Sequence, residues 1–97
     1  MIEISIRYFA HFHVITGKKH ETLLLREGTT LRELFDTLIE KYGFLFKKEL
    51  FDSEEGQMRS NVLVLINGIS ADQFKEKLNT VLSSGDSVIF AFPISGG

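Results

Sequence analysis

Thr30-Leu31-Arg32-Glu33-Leu34-Phe35-Asp36-Thr37-Leu38-Ile39-Glu40-Lys41-Tyr42-Gly43 reads as one amphipathic helix with both of its ends specified. Thr30 and Glu33 have the spacing of a capping box, in which hydroxyl and carboxylate cover orphan amides of the first turn. Leu31, Leu34, Phe35, Leu38, Ile39 and Tyr42 recur at helical spacing as one apolar stripe, while Arg32, Glu33, Asp36, Glu40 and Lys41 fall on the opposite side. Gly43 closes the helix as a residue that tolerates a left-handed backbone. Fully burying a single leucine is worth about 1.5–3 kcal/mol, so the stripe requires a sheet to lie on.

The flanking sequence supplies strands. Ile2, Ile4, Ile6 and Tyr8 alternate with Glu3, Ser5, Arg7 and Phe9, the period of a strand with one apolar face. Ala10 to Lys19 reads as a loop with room for a short helical turn, and Glu21 to Arg26 as a leucine-rich second strand. After the helix, Phe44 to Asn61 reads as a loop with one helical turn, in which Phe44, Leu45, Phe46, Leu50 and Phe51 are partly buried. Val62 to Ile66 is apolar at every position, as expected of a strand buried on both faces. Asn67-Gly68 signals a hairpin turn, Ile69 to Ala71 a short return, and Asp72 to Leu78 a brief helical turn. A further turn at Ser83-Ser84-Gly85-Asp86 leads into a last strand, Ser87 to Phe92, also expected to be buried on both faces, and Pro93 removes a ladder donor where pairing should stop.

The order β, β, α, then short strands predicts an α+β domain; periodicity alone leaves the topology open, and the arrangement that suits it is a mixed sheet of about four to five strands crossed by one main helix, with first and last strands parallel at its centre. That is the β-grasp arrangement of ubiquitin-like proteins. Its expected core includes Ile4, Ile6, Leu34, Phe35, Leu38, Val64 and Phe90. Residues 1–92 form the domain in this reading, and residues 93–97 a flexible tail ending in Gly-Gly.

Composition narrows the function. Ninety-seven residues suit one domain, and the 43% apolar content with nine Phe supports a packed interior. Eleven basic against thirteen acidic residues give no strong field for nucleic acid. The apolar runs fall far short of the ~20 residues that cross a bilayer, which points away from the membrane and to a cytoplasmic protein. Cysteine is absent, which removes disulfides, thiolate metal sites and cysteine nucleophiles together. His11, His13 and His20 read as surface histidines rather than a zinc set, because no fourth ligand accompanies them. Glu33, Asp36 and Glu40 read as a solvated helix face, Asp52-Ser53-Glu54-Glu55 lacks calcium-loop spacing, and Gly28 and Gly43 bound elements without forming a phosphate cradle. No metal site and no independent active site emerge.

The chain ends in Phe92-Pro93-Ile94-Ser95-Gly96-Gly97. Glycines offer no Cβ to obstruct a narrow channel and leave a terminal carboxylate unhindered. In order along the chain, Ile6-Arg7-Tyr8-Phe9-Ala10 with Gly17, then Ile66-Asn67-Gly68, then Leu82-Ser83-Ser84-Gly85-Asp86-Ser87-Val88, then this ending resemble the small subunit of molybdopterin synthase, the MoaD family, and more broadly the ubiquitin-like sulfur carriers that include ThiS. The family often has Pro-Pro where this chain has Phe92-Pro93, and Arg-Glu where it has Phe12-His13-Val14; Ser95 before Gly-Gly is closer to the molybdopterin type than to the thiamin type.

The resemblance implies a carrier that is no enzyme by itself and binds no permanent cofactor. An E1-like enzyme would consume ATP to adenylate the carboxylate of Gly97, and a sulfur donor would convert the acyl-adenylate to a thiocarboxylate. The large subunit of molybdopterin synthase, in a heterotetramer, would receive the tail. Phe92, Pro93, Ile94, Ser95 and Gly96 would be the partner-binding residues, with Phe92 and Ile94 as exposed apolar contacts. Carriage of sulfur for thiamin or tRNA thiolation, conjugation to lysines as a modifier, and a noncovalent β-grasp interaction module are the alternatives.

Overall fold

The helix at the middle of the chain meets a sheet whose central pair joins opposite ends of the sequence. The structure, a computed structural model, describes residues 1–51 and 57–93. Strand β1 (Ile2–Tyr8), helix α1 (His11–Thr16), strand β2 (His20–Leu25), helices α2 (Leu31–Tyr42) and α3 (Phe44–Leu50), strands β3 (Leu63–Ile66) and β4 (Ile69–Ser70), two short 3-10 turns (Ala71–Gln73 and Lys77–Asn79) and strand β5 (Ser87–Ala91) follow in order. The sheet runs β2-β1-β5-β3-β4. Among the described residues only β1 and β5 pair in parallel, with Ile6 opposite Val88 and Tyr8 opposite Phe90; β2 and β3 flank them antiparallel. This is the β-grasp topology.

The alternation in β1 buries Ile2, Ile4, Ile6 and Tyr8 and leaves Glu3, Ser5 and Arg7 exposed. Thr30 caps α2 as expected: its hydroxyl accepts from the Glu33 amide at 3.2 Å, and the Thr30 amide donates to Glu33 Oε1 at 3.0 Å. Leu31, Leu34, Phe35 and Leu38 of α2 are wholly buried with Ile4, Ile6, Val88 and Phe90 of the sheet, and the rings of Phe35 and Phe90 lie 5.7 Å apart. All seven core residues expected from the sequence are buried. Asn67 and Gly68 both have positive φ, 53° and 84°, the backbone a tight antiparallel turn demands. Asn67 also braces the next turn, its side chain donating to Asp86 Oδ1 and accepting from the Ser87 amide, each at 2.9 Å.

Three expectations are corrected. The helical turn allowed within the loop after β1 extends to a six-residue helix, and its Phe12 is wholly buried. Phe44 begins a seven-residue helix; its i, i+4 pair Phe46 and Leu50 is buried, whereas Phe44 and Leu45 are exposed. Finally, β3 and β5 are covered on one face only. Val64, Ile66, Val88 and Phe90 are buried, while Leu63, Leu65, Ile89 and Ala91 remain half-buried on the other face. Every helix packs on the same side of the sheet core, so an apolar run here records a central position in the sheet rather than a second layer.

Candidate functional site

The tail departs from the C-terminal end of the central parallel pair. The last ladder partners are Leu63 and Ala91 on the β3 side, and on the β1 side the Phe9 amide donates to the Phe90 carbonyl at 3.0 Å. Pro93, which has no amide hydrogen to donate, follows two residues later and is exposed. Between them, Phe92 stacks on Phe12 with ring centroids 5.2 Å apart and planes 17° from parallel. Phe12 in turn contacts the rings of Phe46 (5.4 Å) and Phe90 (5.5 Å).

Phe92, expected as an exposed contact, is therefore half-buried, and its ring ties the tail's root to α1. The physical reason is helix α1: once it folds, Phe12 presents a ring face beside the end of β5. Ile94, Ser95, Gly96 and Gly97 lie outside the described residues. The apolar surface beside the root is instead the open sheet face, with Leu63, Ile89 and Ala91 half-buried and Phe9 exposed.

The candidate histidines do not converge on a metal site. His11 pairs with Glu49 across α1 and α3, and among the described residues no group of three or more His, Asp or Glu could hold a metal ion. Glu33 is occupied in capping α2, and Asp36 and Glu40 are exposed on its outer face. Among the described residues, no helix is long and apolar enough to cross a membrane.

Glu21 is a polar feature the sequence reading missed. Its register opposite Ile6 turns it toward the core side of the sheet. Tyr8 and Tyr42 each donate to its Oε2 at 2.5 Å, and Lys41 (2.6 Å) and Lys18 (3.4 Å) donate to its Oε1. Burial works to raise its pKa, but the hydrogen bonds from Lys41, Tyr42 and Tyr8 outweigh it and hold the carboxyl at about 2. Burial, reinforced by Glu21, pushes the Tyr8 phenol well above its ordinary value, so it stays a neutral donor. The network joins β1, β2 and α2 and is saturated by its own donors, which makes it a clamp rather than a site of chemistry. The signal available in the sequence was a glutamate at an inward position of a strand otherwise occupied by leucines.

A carboxylate whose pKa falls on folding stabilises the fold above its unfolded value and loses that contribution as pH falls through the folded one. The Glu21 contribution is thus present above about pH 4.5 and vanishes toward about pH 2. Allowing for screening at the two partly exposed lysines, it is about 1–2 kcal/mol. Glu21→Gln is expected to be less stable than the parent by that amount at pH 7 and to converge on it near pH 2. Urea midpoints at both pH values check this; an equal deficit at both would remove the ionised carboxylate as the cause.

Comparison with known proteins agrees with this fold. Residues 6–97 match the ThiS family. The chain belongs to that family of ubiquitin-like sulfur carriers. Small archaeal modifier protein 3 of Haloferax volcanii is 27% identical over 96 residues, covering 99% of this chain and all 100% of the relative. Small archaeal modifier protein 1 of Methanosarcina acetivorans superposes with a TM-score of 0.80 at 24% identity, over 100% of this chain and 98% of that one. A Pyrococcus furiosus protein provisionally described as molybdopterin converting factor subunit 1 gives a TM-score of 0.75 at 25% identity, over 97% of this chain and 100% of the other. A ThiS-family chain of this kind belongs among the ubiquitin-like sulfur carriers and modifiers.

Proposed function

We propose that this protein carries sulfur at the carboxylate of Gly97 and delivers it in molybdopterin synthesis, as the small subunit of molybdopterin synthase. The observation that carries the reading is the family match that runs through Ser95, Gly96 and Gly97, in a chain with no cysteine to hold sulfur elsewhere. Residues 1–92 act as the carrier body and residues 93–97 as the tail that enters the partners. An E1-like enzyme joins a terminal oxygen to the α-phosphorus of ATP and releases pyrophosphate. The carboxylate is a poor electrophile until this step, after which AMP is a good leaving group. Sulfide-level sulfur from a donor then forms a C–S bond to the Gly97 carbonyl carbon as the C–O bond to AMP breaks, which leaves a thiocarboxylate. The large subunit supplies the catalytic groups for transfer to a pyranopterin precursor. Phe92 fixes where the tail begins, Pro93 to Gly96 span the entry channel, and the open face around Ile89 and Ala91 is the apolar contact for both partners.

A second reading is favoured by one observation: the relative aligned over its whole length bears the name of a small archaeal modifier. In that reading the activated Gly97 is passed to a lysine amine, forming an isopeptide bond with loss of AMP. Recovery of the protein from its native cell separates the two. Intact mass showing one terminal oxygen replaced by sulfur, together with co-purification of a pterin-synthase large subunit, supports the first. Lysine peptides bearing the Gly97 remnant, with no such subunit, overturn it in favour of the second.

A further inference from the structure

A cavity of about 400 Å³ opens at the C-terminal end of β1, where it meets the entry to α1 and the start of β2. Its lining contains Arg7, His13, Lys19 and His20, together with Phe9 and Ala10, and includes no carboxylate. The chain as a whole has more acidic than basic residues, so this is a local segregation of charge. The contrast with the adjacent cations is direct: Lys18 and Lys41 both pair with Glu21 on the core side of the sheet. Among the described residues, the side chains of Arg7, His13, Lys19 and His20 make no ion pair or hydrogen bond. Arg7 and His20 are also direct cross-strand partners, so their side chains leave the sheet on the same face. The Lys19 carbonyl accepts from the Tyr8 amide at 2.9 Å, which fixes the Lys19 backbone beside them.

The backbone at the wall is strained as well. Ala10 has φ 53° and ψ −126°, a conformation that costs a residue with a Cβ about 1–3 kcal/mol. Ala10 is exposed, so burial of its own side chain does not account for the cost. The turn it makes sends the chain into α1, where its carbonyl accepts from the His13 amide at 3.0 Å and sets His13 on the cavity lining.

We propose that this cavity is an oxyanion site for a phosphate group, free or as a phosphate monoester. Arg7 supplies a fork of planar donors suited to two phosphate oxygens and Lys19 a point charge, while each imidazole offers an N–H donor. The site lies on the carrier body, outside the tail, and needs no activating enzyme to form.

The test titrates the full chain with inorganic phosphate, AMP and adenosine at constant ionic strength, following amide shifts. Expected are saturable shifts at Arg7 to Ala10, His13, Lys19 and His20 with phosphate and with AMP, and none with adenosine. The double variant Arg7→Gln, Lys19→Gln should bind both anions at least tenfold more weakly with an unchanged thermal midpoint, while Lys75→Gln, remote from the cavity, binds as the parent does. Equal binding of adenosine and AMP, shifts that fail to saturate, or full affinity in the double variant would overturn the site. A negative result leaves the chemistry assigned to Gly97 untouched, because that is read by mass after activation.

Discussion

Removing Gly97, or adding one residue beyond it, is expected to abolish adenylation and sulfur loading while leaving the fold of the domain intact. The chemistry assigned to the terminus needs a carboxylate on a residue without a Cβ, delivered at a set distance from the domain. Deletion shortens that reach and moves the carboxylate onto Gly96; extension leaves Gly97 with an amide in place of its acid. Neither change touches the described core, because the last ladder pair is Leu63 with Ala91 and the last stacked ring is Phe92. ATP–pyrophosphate exchange with the activating enzyme measures the loss, and thermal melts of the same samples should coincide within error, as expected when a terminus carries little burial. Sulfur loading that persists without Gly97 would defeat the assignment.

Phe12→Ala should be the most damaging single substitution near the tail, at about 3–5 kcal/mol. Phe12 is wholly buried and touches Phe46 from α3, Phe90 from the central strand and Phe92 at the tail's root. Truncation opens a cavity among three rings that are fixed by other contacts and cannot easily collapse into it. For a domain of this size such a loss lowers the thermal midpoint by more than about 10 °C. Phe12→Leu, which refills much of the space, should recover most of the difference. A cost below about 1 kcal/mol for the alanine variant would mean that α1 is not part of the core.

The elements legible in the sequence carry their own local signals. Helix α2 has a capping box, a long apolar stripe and a terminating glycine; β1 has strict alternation; the β3–β4 turn has Asn67-Gly68. Helices α1 and α3 were legible only as single turns within loops, because they lack such signals. Neither has a side-chain cap, and α1 begins at a strained alanine. Helices of six and seven residues are too short to stand on propensity, and their stability comes from burying Phe12, Phe46 and Leu50 against the rest of the fold. The same limit explains the reading of β3 and β5: an all-apolar strand does not reveal whether one face or both will be covered. At the candidate site, the Gly-Gly ending could be read directly, but the anchoring of Phe92 and the clamp on Glu21 depend on partners far away in sequence.

The parallel pairing of β1 with β5 places the last strand of the chain at the centre of its sheet. During synthesis, the β1–β2 hairpin and the β3–β4 hairpin emerge as two pieces with no strand between them, and Ile6 and Tyr8 wait for Val88 and Phe90. A chain that stops before Ser87 has no way to close its core. The domain can therefore close only once translation has passed β5, the segment immediately before the residues assigned to carry the chemistry.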